Sequence, residues 1–468
     1  MTTAALGIDV GTTDTKAVVT DERGRVLAVG RGPTRWEHGP DGVAQMAPDE
    51  LLTGVIAAVA EALEACVDVE RVTGIGVTGM AEAGVLLSAD GTVRSLPVIA
   101  WFDPRGEAEM AALDPELRAA LPARTGLPAS PLATFAKLAW MRASLGVALS
   151  DATWLNVPEF VVYALGGAAV TEPSLASRTG LLDQDDLAVY EPAIVELGAD
   201  TGLVPELVAA GVAVGSVTAR VGHDRSGGRE LELPARLRGA TLTVAGHDHP
   251  VASLAAGAVG PDDLFDSCGT AEALLRATPR IISPEERVRL AAHNVTQGAH
   301  VLPGRRLLLG GTRGGLLLRR TLELLGADTP DARDALDAAT PLEDVELAVH
   351  VAGGGLDEQG MQISVLGDGV TPPMVWRAAL EAVADQARQL VTLFEDVAGP
   401  ASSMIAAGGW TKARAYRAIK ERRFPDVRFA DVDQAGGLAA AAIGAFAASG
   451  DRDLTALGPW IEDFVGTE

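Results

Sequence analysis

The chain has 468 residues, 48% of them hydrophobic, and carries a formal net charge of −25. That length exceeds what one hydrophobic core ordinarily organises, so two or more domains are expected, and the apolar content excludes a disordered chain. The negative charge argues against nucleic-acid and anionic-membrane partners, which both require a positive surface. The two cysteines, Cys66 and Cys268, fit no metal-ligand spacing and read as reduced core thiols. No apolar run reaches membrane-spanning length and no signal peptide precedes Leu6, where the first strand begins, so a cytoplasmic location is expected.

The first element is an apolar strand, Leu6-Gly7-Ile8-Asp9-Val10, that runs into Gly11-Thr12-Thr13-Asp14-Thr15-Lys16 and returns as Ala17-Val18-Val19. Taken alone, Gly-Thr-Thr is an ordinary turn. Glycine also lets backbone approach a ligand, and exposed amides with Thr hydroxyls can cradle phosphate oxygens. Asp9, at the end of a buried strand, is suited to a hydrated magnesium ion. Asp21–Arg25 reads as a polar turn and Val26–Val29 as a further strand. Pro48-Asp49-Glu50 opens a helix whose apolar stripe is Leu51, Leu52, Val55, Ile56, Val59 and Leu63. Val72–Val77 is a short buried strand ending in Thr78-Gly79, and Pro97–Trp101 is another apolar stretch. Strands alternating with helices imply an α/β architecture.

The second half repeats this logic. Leu242–Gly246 is a strand leading into His247-Asp248-His249, and Leu264–Leu275 is another strand–Gly-Thr–strand hairpin around Gly269-Thr270. A long helix follows Thr371-Pro372-Pro373 and ends at Gly399; a strand, Met404–Ala407, then meets Gly408-Gly409 and a basic helix whose charges read mostly as a solvated face. The final helix is expected after Gln434-Ala435-Gly436-Gly437. The domain boundary is placed at 245/246, dividing the chain into 1–245 and 246–468.

Two such hairpins, one per half, resemble the actin-like (ribonuclease H-like) ATPase fold. The ordered set of landmarks is more specific: the Asp9–Lys16 hairpin, Gly74–Gly79, Trp101-Phe102-Asp103-Pro104-Arg105, Thr171–Gly180, Ala245–Asp248, Cys268-Gly269-Thr270 and Ala406–Trp410. In this order they resemble the FGGY family of carbohydrate kinases, from about residue 6 to about 447.

The resemblance implies two α/β domains closing over a catalytic cleft, with sugar held mostly by the first and ATP mostly by the second. The activity implied is ATP-dependent phosphorylation of a small ketopentose, tetritol or pentitol. Asp248 matches the family's catalytic base, which accepts the proton of the attacking hydroxyl. Asp9, together with Asp248, is implied as the magnesium site. Gly11, Thr12, Thr13 and Lys16 face the β/γ-phosphates from one domain, Gly269 and Thr270 from the other. Gly408 and Gly409, read as opening a helix, suit the α-phosphate or adenosine, and Gly311 lies in a further nucleotide loop. Glu82, Asp103 and His249 are the implied substrate contacts. Glu82 stands where glycerol kinases carry a glutamate and xylulose kinases a histidine, but Ala81 replaces the arginine that precedes it in glycerol kinases. His247 and His249 could share a face as metal ligands, yet no Cys or third His lies nearby in sequence, so structural or substrate contacts are expected. The implied partners are ATP, Mg2+ and a small sugar or polyol, with a homodimer allowed for. A non-catalytic nucleotide sensor of the same fold is the alternative.

Overall fold

The computed structural model describes residues 3–269, 271–343, 348–354 and 360–466. Thr270, expected in the second phosphate loop, lies outside them. The first expected hairpin forms: β1 (Thr3–Val10) and β2 (Asp14–Thr20) pair antiparallel, with Asp9 opposite Lys16, and β3 (Val26–Pro33) extends the meander. The expected helix is α1 (Pro48–Ala65), with proline and two acids in its first turn. It buries Leu51, Leu52, Val55, Val59 and Leu63 against the meander. Strand β4 (Arg71–Gly79) runs parallel to β1, β5 is the two-residue strand Gly215–Ser216, and β6 (Thr241–His247) runs parallel to β4. The resulting sheet has the order β5-β6-β4-β1-β2-β3.

A second six-stranded sheet repeats this plan. Strands β7 (Asp263–Cys268) and β8 (Glu272–Thr278) form the second expected hairpin. β9 (Thr296–Ala299) and β10 (Arg306–Thr312) extend it antiparallel on one side. β11 (Ser403–Ala407) and β12 (Val427–Phe429) add parallel strands on the other, giving β9-β10-β8-β7-β11-β12. In both sheets the hairpin lies within a run of antiparallel strands, three in the first sheet and four in the second, and two parallel strands follow on the other side of its first strand. The equivalent hairpins therefore turn at equivalent sheet ends.

The division expected at 245/246 falls inside β6, which belongs to the first sheet through Val244 and Gly246. The chain leaves that sheet only after α2 (Asp248–Ala255), and it later comes back. After α3 (Pro372–Ala398) and α4 (Arg414–Arg423), helix α5 (Ala435–Ser449) packs across β1 and β4 of the first sheet. Two glycines make this possible. A Cβ on Gly7 would lie 1.8 Å from the Gly437 carbonyl oxygen, and one on Gly76 would lie 2.0 Å from that of Ala440. Nearly every residue of α5 is buried, as expected for a helix apolar on all sides. It is not the last helix: α6 (Leu457–Val465) follows and packs against it.

Candidate active site

Three parallel strands of the first sheet end together. Register pairs Asp9 with Thr78 and His247 with Gly79, so the carboxyl ends of β1, β4 and β6 present Asp9, Thr78 and the His247-Asp248 step side by side. Open α/β sheets place ligands outside such strand ends. Strand β6 carries a bulge here, since the register jumps from Val244 to Gly246. Bulges re-aim the following side chains. This one is pinned: the Thr78 hydroxyl donates to the Gly246 carbonyl at 2.8 Å, and the His247 amide donates to Ser174 Oγ at 3.0 Å. Gly246 sits at φ +115° with Ser174 Oγ and Glu172 Oε2 closing in around its missing Cβ, so no other residue fits the bend.

Asp248 then opens α2, half-buried, at the end of the helix where a negative charge is favoured. Its Oδ1 lies 3.2 Å from His247 Nε2 and accepts the His249 amide at 2.7 Å. Burial keeps the His247 imidazole well below its usual range, with His249 and Arg178 pushing the same way, so it stands beside Asp248 as a neutral ring. The His249 ring packs edge-on against it at 5.5 Å.

On β1, burial and the nearby Asp248 push the Asp9 carboxyl up to about 7; Lys16 opposes the rise and Asp14 adds to it. A buried acid whose carboxyl is raised by a second acid, beside a single lysine, suits a hard divalent cation with oxygen ligands, so the donor set fits magnesium. The hairpin turn is braced from outside. Trp101 Nε1 donates to Thr12 Oγ1 at 2.9 Å, Trp36 Nε1 to the Thr12 carbonyl at 2.8 Å, and the Thr34 hydroxyl to the Gly11 carbonyl at 2.9 Å. Thr13 is exposed, and Lys16 Nζ stands 3.8 Å from Asp14 Oδ1.

The second sheet brings together the other expected loops. Gly269 follows β7, Gly311 lies at the end of β10 opposite Ala273, and Gly408-Gly409 follow β11. Trp410 Nε1 donates to the Gly269 carbonyl at 3.0 Å. A Cβ on Gly408 would lie 2.5 Å from the Cys268 carbonyl oxygen. These loops therefore form one surface at one end of the sheet.

The description of the N-terminal domain of the FGGY family of carbohydrate kinases matches residues 4–227. Those residues belong to the FGGY family. The L-fuculokinase of Salmonella typhi is 29% identical over 280 residues, which cover 58% of this chain and 56% of that protein. The chain spans about half the length of the curated relatives it matches. Solved structures extend the likeness to the whole fold. A xylulose kinase from Brucella ovis superposes with a TM-score of 0.81 at 22% identity, covering 99% of this chain and 97% of that one. One from Rhodospirillum rubrum gives 0.78 at 25% identity, with 96% and 92% covered. The architecture is thus the two-domain actin-like α/β fold of the FGGY kinases.

Within the FGGY domain the three expected substrate contacts separate. Glu82 is buried on the turn after β4, in the left-handed region at φ 62°, a backbone state found disproportionately at functional sites. Burial raises its carboxyl above the usual range; Arg178, Asp248 and His249 all act on it, which puts it within electrostatic reach of Asp248. His249 flanks Asp248 directly. Asp103 behaves otherwise. Its fully buried oxygens accept Arg105 Nη2 at 2.7 Å and the Ala44 amide at 2.7 Å. Burial pushes that carboxyl up, but Arg105 and the two amides outweigh it and hold it below its ordinary value. The acid of the Trp-x-Asp motif is thus buried and ion-paired with Arg105, while Trp101 of the same motif reaches the hairpin.

Gly408-Gly409 do not open an α-helix. They lead into a single 3-10 turn, Gly409–Lys412, and α4 starts only at Arg414. The first amides of α4 are already capped, because Asp337 accepts the Arg414 and Ala415 N–H groups at 2.9 and 3.1 Å. A carboxylate in the anion position leaves that helix end closed to phosphate, and only the glycine turn itself remains accessible.

Arg178 is the residue that sequence reading passed over. Its Nε donates to Glu82 Oε1 at 2.6 Å and its Nη1 to Thr296 Oγ1 on β9 at 2.6 Å, tying the FGGY domain to the second sheet. It lies inside the Thr171–Gly180 landmark, but only the fold brings it to a residue 96 positions earlier.

Proposed function

We propose that this chain transfers the γ-phosphoryl group of ATP to a hydroxyl of a small sugar or polyol, a ketopentose or a tetritol or pentitol. The single observation that carries the reading is the convergence of Asp9 and Asp248 at the ends of the two strands that flank β4, with Asp248 close enough to raise the Asp9 carboxyl. Phosphoryl transfer asks little of the protein beyond positioning, charge neutralisation and a base for the incoming hydroxyl. Asp248 accepts the proton of the attacking hydroxyl. Its carboxylate is held by the His249 amide and the His247 ring, leaving the remaining acceptor positions for substrate. Glu82 and His249 hold the sugar, with Arg178 fixing the Glu82 carboxylate.

Asp9, with Asp248, would hold magnesium, which when bound neutralises the charge of the transferring phosphate oxygens. Gly11, Thr12, Thr13 and Lys16 face those oxygens from the first sheet. The loops at Gly269, Gly311 and Gly408-Gly409 face them from the second. The L-fuculokinase and the xylulose kinases that the chain resembles carry out this class of transfer by name.

The test is a coupled ADP-release screen with Mg-ATP over tetritols, pentitols, pentuloses, hexuloses and aldonates. Release that depends on one sugar class is expected. ADP release independent of every sugar, or nucleotide binding without release, would replace this reading with the non-catalytic sensor.

A further inference from the structure

The basic helix after Gly408-Gly409 was expected to be a solvated charged face, and Lys420 breaks that pattern. Arg414, Arg417 and Arg423 are exposed, whereas Lys420 is 1% exposed and points into the second domain. A buried ammonium is costly unless it is paired and hydrogen-bonded. Lys420 has two carboxylate partners. Its Nζ lies 2.8 Å from Glu272 Oε1 and also contacts Asp266 Oδ2. Burial alone would lower its pKa, but the two acids outweigh burial and hold it above the ordinary lysine value.

The partners matter because of where they sit. Asp266 and Glu272 stand on the two strands of the second hairpin, on either side of the Cys268-Gly269 turn. The other Glu272 oxygen, Oε2, accepts the Thr312 hydroxyl at 2.9 Å, and Thr312 Oγ1 in turn accepts the Gly314 amide at 3.0 Å. That fastens the Gly310-Gly311-Thr312 loop to the same cluster. The Tyr416 hydroxyl reaches Glu272 Oε1 at 3.4 Å from the same helix as Lys420. The third loop closes over the top through Trp410 and the Gly269 carbonyl. Two loops from distant parts of the sequence therefore share one buried charge centre, and the third is tied to the hairpin turn between its acids. Among the described residues, Asp266, Cys268 and Glu272 are the acid and thiol groups spaced closely enough to hold a metal ion, and the Lys420 ammonium already supplies the positive charge there.

We propose that Lys420, acting through Glu272 and Asp266, is a positioning residue that sets the Gly269, Gly311 and Gly408 loops in the one arrangement that binds nucleotide. The inference rests on the ATP-dependent reading of these loops. Lys420 itself touches no ligand; removing it leaves two buried acids facing each other and takes away the cation that fixes the Glu272 carboxylate, whose other oxygen holds the Thr312 loop. Thr312→Val removes one link without leaving a buried charge.

Calorimetric titration of the full chain with Mg-ADP tests this with Lys420→Met, Thr312→Val and the double variant, alongside melting temperatures. Thr312→Val is expected to weaken Mg-ADP binding about fivefold, the worth of one ordinary hydrogen bond, with the melting temperature little changed. Lys420→Met is expected to weaken it tenfold or more. The double variant should bind no more weakly than Lys420→Met, because both changes act through Glu272. Additive losses, or wild-type affinity in a folded Thr312→Val variant, would overturn the proposal; the latter decides the matter even if Lys420→Met does not fold. A wild-type chain that binds no Mg-ADP also overturns it. A wild-type chain that binds Mg-ADP but shows no sugar-dependent turnover ends the kinase reading and leaves this test intact.

Discussion

The His247 amide donates to the Ser174 hydroxyl at 3.0 Å, one residue before Asp248, and so fastens the carboxyl end of β6 to a buried acid, Glu172. Ser174 Oγ donates onward to Glu172 Oε2, which also accepts the Ser174 and Leu175 amides at 2.8 and 3.3 Å. The bulge that precedes Asp248 is therefore held by a buried network of Ser174 and Glu172.

Ser174→Ala leaves the His247 amide without its partner and loosens the bulge. Turnover should fall about tenfold, in line with the loss of one buried hydrogen bond and some misalignment of the base, while sugar and ATP KM values change less than twofold. Steady-state kinetics check this. Ser174→Thr, which keeps the hydroxyl, should recover most of kcat, and equal losses in kcat and both KM values would mean a general structural defect.

Glu172 is buried, and burial pushes its carboxyl up from 4.5 to about 8 against the hydrogen bonds that favour the charged form. A carboxyl whose folded value is raised stabilises the fold fully below its unfolded pKa and loses that contribution as pH climbs through the folded one. Wild-type stability should therefore decline from about pH 4.5 to pH 8. Glu172→Gln keeps an oxygen acceptor and cannot ionise, so its stability should change less across that window. Denaturant midpoints measured every half pH unit distinguish the two curves, and parallel curves would reject the assignment.

Asp248→Asn should retain Mg-ADP binding and lose about 10²- to 10⁴-fold in turnover, the usual worth of a positioned general base. Single-turnover phosphoryl transfer reads the chemical step directly, and near-normal rates would remove Asp248 from that role.

Asp9→Asn tests the cation site separately. Magnesium should raise the melting temperature of the wild-type chain, because binding to the native state alone adds stability by mass action. The shift should shrink or vanish in Asp9→Asn. An undiminished shift would put the cation elsewhere.

Arg178→Met leaves Glu82 buried without its cation and cuts the link to Thr296. Side-chain exposures of 17% and 10% make this a largely desolvated pair. Breaking one partner of such a pair costs about 3 kcal/mol. Urea unfolding should show that loss, and Glu82→Gln, which keeps a neutral acceptor for Arg178, should lose less stability than Arg178→Met.

Both hairpins, the long helix at 372–398 and the strand before Gly408 were legible in the sequence because each depends on local rules. Apolar runs of strand length, glycine turns and proline at a helix start act within a few residues. The same rules located Asp9 and Asp248, since each stands where an apolar strand meets a turn. Local pattern did not show that Asp103 of the Trp-x-Asp motif is buried, paired with an arginine two residues away and hydrogen-bonded by an amide 59 residues away. It also placed the domain boundary inside β6, because no local signal tells that a strand after a long excursion rejoins the first sheet, or that α5 returns from the end of the chain to lie on glycines at 7 and 76. What the sequence determined by itself was the set of elements and the chemical types at their ends. The tertiary structure alone decided which charged and polar groups are paired. Arg178 with Glu82, Lys420 with Glu272 and Ser174 with His247 lie 96, 148 and 73 residues apart, and pairing at such separations is selected by burial in a common core.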